Sequence, residues 1–150
     1  FQPEGLKLFH NLWYLLGYRN GSEFCAVPLD ALKNIYLSGN SFQTDYRFSL
    51  AERISDSIGI VVPDGQQPET VSLKAYGHFA DYLRKYPFHH SQVERNDMGT
   101  FTSFDYRLLV TDELVDEILA LGDKVEITYP EKLRMKLLQK IGRIRSRYAM

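Results

Sequence analysis

The sequence is poor in cysteine, in tryptophan and in long apolar runs, and each shortage excludes something. A single cysteine, Cys25, in 150 residues rules out an internal disulfide and fits a reducing, cytoplasmic setting. No apolar run reaches the ~18 residues that a membrane span needs, and no signal-peptide pattern opens the chain. CxxC, HExxH and paired-carboxylate spacings are missing, as are a Gly-rich phosphate loop and a nucleophile–base set, so no enzyme, metal site or cofactor is expected. Excess positive charge is missing too: the net charge is −1, whereas a surface that gripped phosphates throughout would be basic throughout. What is present, 44% hydrophobic and 25% charged residues, suffices for one ordinary domain or two small ones. The chain opens on Phe1 rather than Met and is expected to be a piece of something longer.

Charge is unevenly spread. Residues 1–69 hold five Lys/Arg against eight Asp/Glu, and residues 70–129 hold six against ten. Residues 130–150 reverse the sign, with seven Lys/Arg against Glu131 alone, a net of +6.

The aromatic run Leu12 to Tyr18 reads as a strand. Asn20-Gly21 then marks a hairpin, because both central residues of a type I′ turn need positive φ. The return strand is expected over 23–27, stopped by Pro28, with a tight turn at Leu29 to Leu32 and a third strand at Asn34 to Leu37. Three short strands suggest a barrel-like sheet that these residues alone cannot close. Ser49-Leu50-Ala51-Glu52 has the capping-box form, predicting a helix over 50–58 with Gly59 as its C′ residue. The loop 63–68 is the expected domain boundary.

Beyond it, Val71, Leu73 and Ala75 alternate as a strand, and Phe79, Tyr82 and Leu83 line a helix stopped by Pro87. A second strand is expected from His89 to Glu94, with a turn at 96–99. Thr102, Phe104, Tyr106, Leu108 and Val110 alternate as the clearest strand. Thr111 caps a helix lined by Leu114, Ile118 and Leu121 and closed by Gly122. A fourth strand over 124–129 leads to Pro130 at the N1 position of a last helix, whose apolar positions are Leu133, Leu137, Ile141 and Ile144. The order β-α-β-β-α-β plus one helix is the ferredoxin-like split βαβ arrangement, and the expected fold class is α+β.

Pro3, Leu6 to Phe9, Trp13 to Gly17 and Leu29-Asp30 together resemble the WYL domain family. The second half is similar to the WCX extension that follows WYL domains, through Ile58-Gly59-Ile60, Ser91-Gln92, Leu121-Gly122, Val125-Glu126 and Pro130 with Leu133-Arg134. The resemblance implies a bacterial transcription regulator with three parts: an upstream helix-turn-helix that contacts DNA, a WYL barrel of Sm/SH3-like fold that senses a ligand, and a ferredoxin-like extension used in homodimerisation. On that pattern residues 1–45 are a partial WYL barrel, 46–68 a connecting helix and linker, and 69–150 the extension. The alternative is a module whose pocket has decayed and which only dimerises.

The resemblance places the ligand site at Tyr14 and at three positions where the family pattern carries arginine and this chain has Leu12, Cys25 and Ala31. None of the three can form a bidentate bond to phosphate, so this barrel is expected to bind nucleic acid poorly and to take, if anything, an uncharged small molecule. Trp13 is expected in the core, and Cys25 is expected as a small buried hydrophobe. His89 and His90, adjacent on a strand, would point to opposite faces and share no ion.

The rival site is the basic tail, through Arg134, Lys140, Arg143 and Arg147 as nucleic-acid contacts. Helical spacing is read as spreading the tail's seven cations around a polar arc rather than along one stripe, with acidic neighbours at 112–126 as their ordinary partners. An RNA-type stacking platform is disfavoured, since Phe104 and Tyr106 belong to the core and the opposite sheet face offers only Phe101.

Overall fold

In a computed structural model, residues 1–42 and 49–149 are described. The chain divides into two compact units, Phe1–Gln66 and Gln67–Met150. The architecture is α+β: two antiparallel sheets of three and four strands, with four α-helices and no closed barrel among the described residues.

The first unit is a meander of β1 (Gln2–Phe9), β2 (Leu12–Arg19) and β3 (Glu23–Pro28). Its first strand is absent from the periodicity reading, and its turn is His10-Asn11, both at positive φ, a conformation open to short polar residues. The Asn20-Gly21 hairpin forms as expected. Both residues have positive φ, and the Ser22 N–H donates to the Arg19 carbonyl at 3.3 Å. Gly17 is required at its place, because a Cβ there would lie 2.1 Å from the Gln2 carbonyl oxygen.

Alternation along β2 puts Leu12, Tyr14, Leu16 and Tyr18 on one face and Trp13 and Leu15 on the other. The covered face is the first, where Leu16 is fully buried and Phe24 nearly so. Trp13 is therefore not core: it is 51% exposed, paired across the strands with the equally exposed Leu8. The predicted strand at 34–37 is also absent. Those residues are irregular, with Ile35, Tyr36 and Leu37 exposed, so three apolar side chains in a row did not signal burial.

Helix α1 (Leu50–Ile54) carries the predicted capping box: Ser49 Oγ accepts from the Glu52 N–H, and Glu52 accepts from the Ser49 N–H. The helix ends at Ser55, short of the expected Gly59. Lys7 Nζ donates to the Gly59 carbonyl, which ties this segment to β1.

The second unit holds β4 (Glu69–Tyr76), α2 (His78–Lys85), β5 (Val93–Asp97), β6 (Phe101–Leu108), α3 (Asp112–Ala120), β7 (Val125–Tyr129) and α4 (Glu131–Tyr148). Strand order β5-β6-β4-β7, all antiparallel, is the split βαβ arrangement that the sequence predicts. Val71, Leu73 and Ala75 of β4 face Tyr106, Phe104 and Thr102 of β6, and all six are buried. Ala80 and Leu83 of α2, Leu114, Val115 and Ile118 of α3, and Leu133 and Leu137 of α4 complete the core. Thr111 Oγ1 accepts from the Leu114 N–H at 3.2 Å, as a buried cap.

Four expectations fail here. Strand β5 begins at Val93, not His89, because 88–92 form a turn held by Gln92, whose side chain accepts from the Phe88 N–H and donates to the Leu83 carbonyl. Asn96 and Asp97 lie within β5 rather than in the turn. Tyr82 of α2 is exposed and stacks on Phe79, while Ala80 takes the buried place assigned to it. Pro130 is the N-cap of α4 rather than its first residue.

Candidate functional site

Alternation in the first sheet separates the four residues expected around a ligand. Leu12 and Tyr14 lie on the face of Leu16 and Phe24; Cys25, paired with Gly17, lies on the face of Trp13 and Leu15. Ala31 sits in the 3-10 turn Leu29–Ala31 beyond β3 and is exposed. Tyr14 is half-buried between Lys7 of β1 and Pro28 of β3.

A guanidinium does reach the Tyr14 face, from a residue that sequence reading passed over. Arg53 of α1 lies over the Phe24 ring at 4.5 Å and the Tyr18 ring at 5.5 Å, and its Nη2 bonds Asp64 at 3.1 Å. Its Nε is buried without a hydrogen-bond partner. Cation–π contact with two rings partly offsets the lost hydration of that group. The available signal was the aromatic pair Tyr18 and Phe24, directly opposite each other beside the hairpin turn.

In the second unit the charged groups fall into two sets. Arg84 bonds Asp81, Glu94 and Asp97 at 2.8 Å each, joining α2 to β5. Arg84 holds the Glu94 carboxyl below its ordinary range; the Gly99 N–H and then Arg84 do the same for Asp97. Burial pushes the Tyr106 phenol up, and its hydroxyl donates to Gln92 Oε1 at 2.9 Å.

The second set is the basic helix α4, five of whose seven cations fall in one row while Arg134 and Arg145 stand on another side. Lys132, Lys136, Lys140, Arg143 and Arg147 follow one another at steps of four or three, which is one side of a helix. Lys132 pairs with Glu69, Lys136 with Asp112 at 2.7 Å, and Lys140 with Asp116. The Lys136 ammonium is the main cause holding the Asp112 carboxyl below its usual range. The expected acidic partners at 112–126 thus serve Lys136 and Lys140, while Glu69 serves Lys132. Arg143 and Arg147 continue it with no ion pair among the described residues. Arg134 lies on another side of the helix, bonded to Glu131 at 2.7 Å.

The open sheet face has a second aromatic beyond Phe101: Tyr76 lies directly opposite it, with ring centroids 6.1 Å apart and edge to face. Its hydroxyl donates to Glu126, and Lys74 caps the Phe101 ring at 4.8 Å. His89 and His90 lie in a turn with ring centroids 4.1 Å apart rather than on opposite strand faces. Among the described residues no group of three His, Cys, Asp or Glu is placed to hold a metal ion, and no helix is long and apolar enough to cross a membrane.

Residues 67–145, just over half of the chain, match the family model of the WCX domain. No curated protein matches the sequence.

Proposed function

Since the chain belongs to the WCX domain family, we propose that it is the ligand-sensing and dimerisation region of a WYL-type transcriptional regulator, acting without catalytic chemistry of its own. The WCX match carries this reading, because such domains occur in WYL-family regulators. It is supported by the three-stranded sheet ahead of the match, whose second strand bears Trp13-Tyr14-Leu15. In this reading a ligand or partner engages the sheet near Tyr14, the geometry of a homodimer changes, and with it the spacing of two DNA-binding heads upstream. DNA is contacted only through those heads, in the cytoplasm.

A second reading rests on Arg143 and Arg147, the unpaired end of the cationic row: there α4 binds a nucleic-acid backbone directly. One titration separates the two. Labelled short single-stranded DNA and RNA, followed by fluorescence anisotropy across a salt series, are expected to bind no tighter than about 100 μM at physiological salt, the weak end of non-specific binding. Micromolar binding with a steep salt dependence that Arg143→Ala/Arg147→Ala removes would favour the second reading. The same binding lost in Tyr14→Ala would place an anionic ligand at the sheet and overturn the expectation of an uncharged one.

A further inference from the structure

Helix α4 is covered along its first half only. One line of its side chains runs Leu133, Leu137, Ile141, Ile144 and Tyr148, at steps of four and three, which is one side of a helix. Leu133 and Leu137 enter the core, whereas Ile141, Ile144 and Tyr148 are exposed. The charges change at the same place. Lys132, Lys136 and Lys140 are bonded to acidic neighbours. Arg143 and Arg147 on one flank of the line, and Arg145 on the other, make no ion pair among the described residues, and Glu131 is the one acid on the helix. At its far end Ile144 and Tyr148 share an open hollow of about 460 Å³ with Lys140, Arg143 and Arg147. The open cavity nearer the core, beside Ile141, carries Asp123 and Glu126 as well as Arg134 and so selects no sign of charge. The terminal hollow is lined by cations and apolar groups alone.

An exposed apolar ridge between free arginines is complemented by apolar side chains set between anions. Nucleic acid would answer the arginines with phosphate and leave Ile141, Ile144 and Tyr148 in water. An anionic bilayer offers both chemistries, but a flat surface also meets the carboxylates of α3 beside the helix, Asp112 and Asp116, whose side chains are 88% and 55% exposed. The ridge from Ile141 to Tyr148 is about 11 Å long at 1.5 Å per residue, and a helix with its side chains is about 10–12 Å wide. A single helix laid across α4 therefore covers the ridge and little else. Its apolar stripe meets the ridge, and carboxylates bordering that stripe reach guanidinium groups in charge-assisted hydrogen bonds. We propose that the second half of α4 docks an acidic amphipathic helix of another protein, seated on Ile141, Ile144 and Tyr148 and flanked by Arg143, Arg145 and Arg147. The proposal adds a protein partner to the sensing and dimerising reading and does not depend on it.

The test is fluorescence anisotropy of residues 1–150 with a labelled peptide of about 15 residues built from leucine and glutamate, its leucines at steps of three and four. Two further peptides keep one property each: serine replaces leucine in one, and lysine replaces glutamate in the other. The leucine–glutamate peptide is expected to bind with a Kd of about 50 μM, and the other two at least about tenfold more weakly. Ile144 is about half exposed, so Ile144→Asp leaves the fold intact, as far-UV circular dichroism verifies, and is expected to weaken binding at least about tenfold. Arg147→Glu is expected to weaken it about fivefold. Lys33→Glu, the same change of charge at an exposed site in the first unit, is expected to weaken it less than about twofold. No binding at about 1 mM, or binding indifferent to Ile144→Asp, overturns the proposal. Equal losses in Arg147→Glu and Lys33→Glu overturn the arginine contacts. A serine–glutamate peptide that binds as well reduces the surface to a patch of charge and overturns the proposal in favour of the nucleic-acid reading. Binding to phosphatidylglycerol vesicles that Ile144→Asp removes, without binding of the peptide, assigns the ridge to a bilayer and overturns the protein partner.

Discussion

The two units of this chain fold similar amounts of sheet and differ in what covers it. In the second unit, helices and a four-stranded sheet bury one another, and β4 and β6 present a wholly buried face that is apolar except at Thr102. In the first, a three-stranded meander buries Leu16 and Phe24 under a short helix while Leu6, Leu8 and Trp13 stay half in water. Strand pairing alone is worth little without a covered face. The contrast therefore locates stability in the second unit and leaves the first as the more easily altered part, which suits a region proposed to respond to a ligand.

The sharpest way to break the comparison is at the deepest residue. Phe104→Ala removes a fully buried ring from the centre of β6 and is expected to cost about 3–5 kcal/mol, read as a lowered urea midpoint by circular dichroism. Leu16→Ala, in the first unit, is expected to cost about 2–3 kcal/mol, the lower part of the range for such truncations because its sheet has fewer layers to lose contact with. Trp13 is the sole tryptophan, so its fluorescence reports on the first unit. If the contrast holds, that signal changes at lower urea than the circular dichroism in the wild type, and the gap widens in Leu16→Ala.

The two helix caps make a matched pair. Thr111 is buried and Ser49 exposed. Thr111→Ala is accordingly expected to cost about 1–2 kcal/mol and Ser49→Ala about 0.5 kcal/mol, the two ends of the range for lost caps. Equal costs would show that burial does not separate the units at their helix termini. Trp13→Ala is expected to cost less than about 1 kcal/mol, since a half-exposed side chain loses little transfer energy, with the melting temperature as the check.

The smallest effect is that of pH on the exposed Arg84 cluster. Glu94 and Asp97 have carboxyls below their unfolded values in the folded state. They therefore stabilise above the ordinary carboxylate range, and that contribution is lost as pH falls through it. Arg84→Ala should flatten the decline in melting temperature between about pH 5 and 3.

How much of this the sequence disclosed follows the same contrast. Val71, Leu73, Ala75 and the alternation from Thr102 to Leu108 were legible because one face of those strands is wholly buried, and burial is what imposes period two. The caps at Ser49 and Thr111 and the Asn20-Gly21 turn were legible because they are local. Strand β1 was not, because Leu6 and Leu8 fill an exposed face and Pro3 sits where a strand is not looked for. Trp13 was misplaced for the same reason: size predicts burial only where something lies on top. The start of β5 was lost to Gln92, whose amide does with side-chain bonds what a strand does with its backbone. At the candidate site, Leu12, Tyr14, Cys25 and Ala31 were named in sequence order, but the pleat divides them. Arg53 was missed because its contacts with Tyr18 and Phe24 span some thirty residues of chain.

The ion pairs of α4 also set a mechanical boundary. Lys132, Lys136 and Lys140 are fastened to Glu69, Asp112 and Asp116, and past Lys140 the helix makes no ion pair among the described residues. The helix is thus a lever with its fulcrum near Lys140 and a free arm of about 12 Å to Tyr148, at 1.5 Å per residue. A tilt of about 10° at the fulcrum moves the tip by about 2 Å, less than the rise of one residue along a strand. Because the fastenings are exposed ion pairs, salt loosens them first, so the stiffness of the pivot, rather than the length of the arm, is what ionic strength adjusts.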